Sequence, residues 1–165
     1  MSEEDSKRPD DDHTRTFLCV VDDSPELSQA LRFACRRVTH VNGRIALLYV
    51  IEPAEFEHWM AVKDLMQEER RQEAEEMLKV VASVVQKSTD TTPTIYIREG
   101  KLTEQLIELL DETPEISVLV LGAATDAEGP GPLVSHLINK MAGSLHIPIT
   151  IVPGGLTDEE IDAIT

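Results

Sequence analysis

Ile116-Ser117-Val118-Leu119-Val120-Leu121-Gly122 is the stretch that most narrows the folds open to this chain. Apart from Ser117 the run is apolar, and Gly122 ends it. A strand with apolar side chains on both faces must be covered on both faces, as in a parallel sheet packed between helices. Gly129-Pro130-Gly131-Pro132 follows, with Gly131 placed to cap a helix and Pro132 at its first position, where the missing N–H is harmless. Leu133, Leu137, Ile138, Met141, Ala142 and Leu145 then recur at spacings of three and four, the period of an amphipathic helix. Ile147 to Val152 is a second β-branched run closed by Pro153-Gly154-Gly155, so Ile116 to Val152 reads as one βαβ unit.

The same alternation runs through the preceding chain. Met1 to Thr14 holds six acidic residues from Glu3 to Asp12 and nothing apolar after Met1, which predicts a disordered acidic tail over 1–14. Phe17 to Val21 is a first strand leading into Asp22-Asp23-Ser24-Pro25, with Ser24 as expected N-cap and Pro25 at the first helical position. Leu27, Ala30, Leu31, Ala34, Cys35 and Val38 form the stripe of the helix that follows, which Asn42-Gly43 ends. Ile45 to Ile51 is a second strand. Beyond it, Phe56 and Trp59 mark an irregular region expected to cover the sheet's end or a partner. From about Leu65 a charged helix is expected, with Ala74, Met77, Leu78, Val81, Val84 and Val85 facing inward. Thr92 to Arg98 alternates as a third strand, and Gly100 turns the chain into a helix with Leu102, Leu106, Ile107 and Leu110 on its stripe. Thr157-Asp158-Glu159-Glu160 resembles a capping box for a terminal turn carrying Ile161 and Ile164. Five strands alternating with four helices predict an α/β fold, a doubly wound five-stranded parallel sheet with helices on both faces. One domain over 15–153 is expected, with 154–165 as a C-terminal tail or short helix.

Charge limits the partners. Lys and Arg number 15 against 31 Asp and Glu, a formal net charge of −16, which repels phosphate backbones and anionic membrane surfaces, so neither nucleic acid nor membrane is expected. No apolar run approaches the roughly 20 residues of a membrane span, and the acidic start lacks a leader pattern, so a cytoplasmic protein is expected. Cys19 and Cys35 have no CxxC spacing and read as small buried hydrophobes suited to a reducing compartment.

In a doubly wound sheet ligands bind beyond the C-terminal ends of the strands, where strand order reverses. The polar or glycine-bearing exits are Asp22, Glu52, Arg98 and Gly122. Val20-Val21-Asp22-Asp23-Ser24 resembles the opening of a phospho-receiver domain, which would hold Mg²⁺ on its paired aspartates. That mechanism also requires an aspartate at the end of the third strand and a lysine at the end of the fifth, where this chain has Arg98-Glu99 and Pro153. His13, His40, His58, His136 and His146 show no ligand spacing, so no metal site is expected, and no activated Ser, Cys or Lys arrangement points to a catalytic residue.

At these exits the chain resembles the universal stress protein family. The resemblance spans about Thr16 to Pro153. It rests on the Val-Asp-x-Ser opening at Val21 to Ser24, the strand Leu47 to Ile51, the strand-to-helix element around Gly100, the Leu121-Gly122 exit and the closing Ile147-Pro148-Ile149-Thr150-Ile151-Val152. It implies a Rossmann-like adenine nucleotide-binding fold and a non-enzymatic stress-response module working as a homodimer through the last strand, Ile147 to Val152. It further implies that Val21, Asp22 and Val50 contact base and ribose, flanked by Leu121 and Gly122. Members that bind ATP resemble one another in a loop of Gly, two residues, Gly, nine residues, then Gly followed by Ser or Thr. Laid on this chain from Gly122, the register puts Thr125, Ser135 and His136 at the remaining positions, so only the first glycine survives. Asp126 and Glu128 would meet a triphosphate with like charge unless Mg²⁺ offset it. Gly129 and Gly131 could supply a rearranged phosphate nest with Ser135 as hydroxyl, or the Gly-Pro-Gly-Pro segment is a rigid connection that caps the helix. The expectation is weak or no ATP binding, with an ATP or AMP switch as the alternative.

Overall fold

The computed structural model describes residues 14–53 and 60–165. The acidic tail, Phe56, Trp59, His13 and His58 therefore lie outside the described residues. Strands β1 (Thr16–Val20), β2 (Arg44–Ile51), β3 (Thr94–Glu99), β4 (Ile116–Ala123) and β5 (Ile149–Pro153) alternate with helices α1 (Leu27–Val41), α2 (Met60–Thr89), α3 (Leu102–Glu112) and α4 (Pro132–His136). A terminal helix α5 (Asp158–Ile164) follows. All neighbouring strands pair in parallel, in the order β3-β2-β1-β4-β5. The chain builds outward from β1 through β2 to β3 and then returns to β1's other side, so strand order reverses between β1 and β4.

Each face of the sheet carries its own core, which is why β1 and β4 read as near-continuous apolar runs. On one face Cys19, Leu47 and Val120 pack with Ala34, Cys35 and Val38 of α1 and Leu78, Val81 and Val85 of α2. On the other, Leu18, Leu48 and Leu119 pack with Leu106 and Leu109 of α3 and with Val134 and Leu137. The helix-ending Asn42 adopts the left-handed conformation at φ 53°, and the Gly43 N–H donates back to the Val38 carbonyl at 2.8 Å.

Several local expectations shift. Helix α1 starts two residues later than Pro25 suggests, because the Ser24 hydroxyl donates to Asp22 rather than capping, and Glu26 takes the N-cap position without a side-chain cap. Val84 of α2 is 46% exposed, outside the inward stripe of Ala74, Leu78, Val81 and Val85. On α3 it is Leu109, not Leu110, that is fully buried beside Leu106. After α4 a π turn over Leu137–Met141 widens the helix, breaks the 3.6-residue period and leaves Ile138 exposed, so Val134 and Leu137 supply the inward contacts. Strand β5 begins at Ile149, and Ile147 and Pro148 precede it, with the Pro148 carbonyl accepting the Leu119 N–H at 3.1 Å.

The C-terminal residues form more than a turn. Thr157 caps α5 by accepting the Glu160 N–H at 3.2 Å, Ile161 is fully buried, and Ile164 is exposed. Arg32 of α1 grips Asp162 through two hydrogen bonds of 2.9 and 2.7 Å, and Arg36 adds one to the Thr165 hydroxyl at 2.8 Å. The Arg32 guanidinium holds the Asp162 carboxyl below its ordinary pKa.

Cys19 and Cys35 are both buried and free. Burial pushes the Cys35 thiol up to about 11, and burial together with the neighbouring Cys35 pushes Cys19 up further. A thiolate-selective reagent at pH 8 is therefore expected to label neither cysteine in the folded protein and both after denaturation in urea. A fast-reacting equivalent in the native state would show that this core opens readily.

Candidate functional site

Where β1 and β4 part, their C-terminal ends open into a cleft of about 580 Å³. Its floor is apolar, built from Val20, Leu27, Ala30, Leu121 and Val134, while Asp22, Glu26, Glu52, Lys101, Thr103 and His136 supply polar groups. Such a pocket, mostly apolar with a few placed polar groups, is the usual form of a small-molecule site.

The polar groups are already partly engaged. Asp22 Oδ1 accepts both the Ser24 N–H, at 3.0 Å, and the Ser24 hydroxyl. This local turn orients the carboxylate and leaves Oδ2 for a donor on a ligand. Glu52 Oε1 accepts the Leu102 N–H at 3.3 Å, so the chain's own carboxylate sits at the start of α3, where an incoming anion would otherwise find donors.

Gly122 and Gly154 explain how α1 reaches the cleft. A Cβ on Gly122 would lie 2.5 Å from the Glu26 carbonyl oxygen and 2.8 Å from its Cγ. One on Gly154 would lie 2.7 Å from the Ala123 carbonyl oxygen and 2.9 Å from Glu26 Cβ. Only the absence of both side chains lets the chain at Glu26 seat against the ends of β4 and β5. Gly122, assigned to the phosphate loop by the family register, thus has a packing duty of its own.

Beside the cleft lies a second hollow of about 520 Å³, lined by Glu26, Thr125, Asp126, Glu128, Gly129 and Ser135 among others. No Lys or Arg is among the described residues that line it. The loop above it is closed on itself: the Gly129 N–H donates to the Asp126 carbonyl at 3.1 Å and the Ala124 N–H to the Pro130 carbonyl at 3.0 Å. Gly129 and Gly131 have φ of 111° and 104°, the region that favours glycine. Within 129–132, Pro130 and Pro132 have no N–H and Gly129 has spent its own, so few main-chain donors are left for a phosphate.

The sequence-derived candidates distribute unevenly over these two spaces. Asp22, Leu121, Gly122, Gly131 and His136 line the cleft, whereas Gly129 and Ser135 line the hollow, which Gly131 also borders. The Val21 side chain turns to the opposite core, and its N–H donates to the Leu48 carbonyl at 2.7 Å; Val20, one residue earlier, faces the cleft instead. Val50 packs at the margin of the α3-side core and is not among the cleft-lining residues. Glu26, Lys101 and Thr103 were not foreseen. The signal for Glu26 was the start of α1, which places whichever residue occupies the N-cap at the point where the strands part.

Among the described residues no group of three or more His, Cys, Asp or Glu side chains is arranged to hold a metal ion, and no helix is long and apolar enough to cross a membrane. The profile of the Universal stress protein family matches residues 13–153. The chain belongs to the universal stress protein family. Membership displaces the receiver-domain alternative.

Solved structures agree with the architecture. Universal stress protein UspA from Lactobacillus plantarum superposes with a TM-score of 0.70 at 17% identity, over 85% of this chain and 98% of that one. The universal stress protein from Archaeoglobus fulgidus in complex with dAMP gives 0.62 at 15% identity, over 85% and 98%. A universal stress protein in complex with cAMP gives 0.62 at 18% identity, over 85% and 97%. At these identities the likeness carries the Rossmann-like fold. No curated protein matches the sequence.

Proposed function

We propose that this universal stress protein is a non-enzymatic, cytoplasmic homodimer that binds a nucleoside-type ligand in the cleft between β1 and β4 and holds ATP weakly or not at all. The observation that carries this reading is the contrast between the two adjoining spaces. The cleft offers an apolar floor with Asp22 poised at its rim, while the loop beside it has closed two of its amides, those of Ala124 and Gly129, and presents carboxylates. ATP with Mg²⁺ fits that hollow poorly: the Ala124 and Gly129 amides are already committed within the loop, and Glu26, Asp126 and Glu128 line the space with like charge. Two relatives are described in complex with dAMP and cAMP, which supports an adenosine-sized occupant and keeps an ATP or AMP switch as the second reading. The ligand-binding unit is residues 15–153, with α5 appended.

Dimerisation is proposed through β5. Among the described residues its outer edge has no strand partner, and Ile149, Thr150 and Ile151 are only half-buried, with Ile147 and Pro148 leading into the strand. An unpaired, β-branched edge invites pairing with a second copy across a two-fold axis. Two free buried cysteines suit a reducing, cytoplasmic setting.

Calorimetry with adenosine and with ATP plus Mg²⁺, beside equilibrium sedimentation, tests the reading. Adenosine is expected to bind more tightly than ATP, and the protein to sediment as a dimer at micromolar concentration; monomer alone would remove the dimer. Asp22→Ala is expected to weaken adenosine about tenfold or more, since a hydrogen bond to a charged group is worth ~1.5–3 kcal/mol. Asp23→Ala should leave affinity within about twofold, because consecutive residues at a strand exit point to opposite sides and Asp23 is exposed outside the cleft. Equal losses from both would contradict the placement of Asp22.

A further inference from the structure

We infer that Glu26 sets the ligand class of the cleft: it selects a nucleoside bearing no phosphate and rejects the phosphorylated forms. The inference rests on the nucleoside reading above and adds the residue that discriminates. Glu26 lines both the cleft and the adjoining hollow, so it stands where the two spaces meet. Its position is enforced from the main chain. Its backbone and Cγ press on Gly122, and its Cβ presses on Gly154, at separations where any side chain on either glycine would collide. No salt bridge or side-chain hydrogen bond among the described residues engages the Glu26 carboxylate.

The surroundings reinforce the same selection. Three nearby donors are spent elsewhere: the Gly129 and Ala124 amides close the loop, and the Leu102 N–H is held by Glu52. The basic side chains that line the cleft, Lys101 and His136, are not among the residues that line the hollow. Lys101 is 78% exposed and drawn toward Glu104 at 3.9 Å. A neutral nucleoside loses nothing to this arrangement. Its base rests on the apolar floor, and its hydroxyls donate to Asp22, which has acceptor capacity left. A phosphate meets a side chain of its own charge sign, with the Ala124, Gly129 and Leu102 amides already committed.

The test is calorimetry of adenosine, AMP and ATP with Mg²⁺ on the full chain and on Glu26→Gln, which keeps the shape pressed against Gly122 and Gly154. The wild-type protein is expected to rank adenosine above AMP and AMP above ATP, a result that needs no variant. E26Q is expected to raise the affinity for AMP relative to adenosine by at least about tenfold, as removal of one unit charge close to a phosphate requires. AMP binding as tightly as adenosine in the wild type, or E26Q changing both ligands equally, overturns the assignment of Glu26 and leaves the nucleoside reading standing. Absence of heat from all three ligands with both proteins overturns the nucleoside reading, and this inference falls with it.

Discussion

Gly122→Ala is expected to cost about 3 kcal/mol of folding stability, the upper range for overpacking a well-filled site. The added methyl would lie 2.5 Å from the Glu26 carbonyl oxygen and 2.9 Å from its carbonyl carbon. Those are main-chain atoms, so no rotamer change relieves the clash. Either α1 lifts at its first turn or β4 shifts out of its pairing, in which Gly122 lies opposite Val152. Because α1 is tied to the sheet along its length by Ala30, Ala34 and Val38, lifting one end loosens buried contacts as well. Since a whole domain is stable by only ~5–15 kcal/mol, urea unfolding should show a clearly lower midpoint. Adenosine affinity should fall with it, because the displaced turn carries Leu27 and Ala30 from the cleft floor. A midpoint unchanged by the substitution would mean that Glu26 is not seated against β4 and would undercut its proposed role.

Leu119→Ala is expected to be costlier still, about 4 kcal/mol. Leu119 is fully buried in β4, opposite Leu18 of β1 and Ile149 of β5, and packs into the cluster that holds Leu106, Leu109 and Leu137. Strands on both sides and helices above keep the surroundings from collapsing into the space left behind, so transfer and cavity terms add. Val118→Ala in the same strand serves as the comparison, because Val118 is only half-buried at the margin of the opposite core. It should cost less than half as much. Chemical denaturation of the two variants side by side checks the prediction, and similar losses would deny that Leu119 lies deep in its core and Val118 at the margin of the other.

The architecture was largely legible before any coordinates. The apolar run at Ile116 to Leu121, the stripe from Leu27 to Val38 and the Asn42-Gly43 stop each state their element by local rules, and each element exists close to the expected place. The misses follow from contacts those rules do not contain. Ser24 looked like a cap but turned its hydroxyl to Asp22, which moved the start of α1 and brought Glu26 to the critical position. Ile138 fitted the helical stripe, yet a π turn rotated it outward. Strand alternation sends the Val21 side chain to the opposite core from Val20, a placement the family motif alone does not state.

By itself the sequence determined the element order, the two-sided burial of β1 and β4 and the acidic character of the loop after β4, because periodicity, turn residues and charge act between near neighbours. The strand order, the reversal between β1 and β4, the loop amides closed on their own carbonyls, the α5 clamp through Arg32 and Asp162, and the seating of Glu26 over Gly122 and Gly154 were decided only in three dimensions. Each of these depends on how closely one stretch of main chain approaches another, a distance that no residue carries in its own identity.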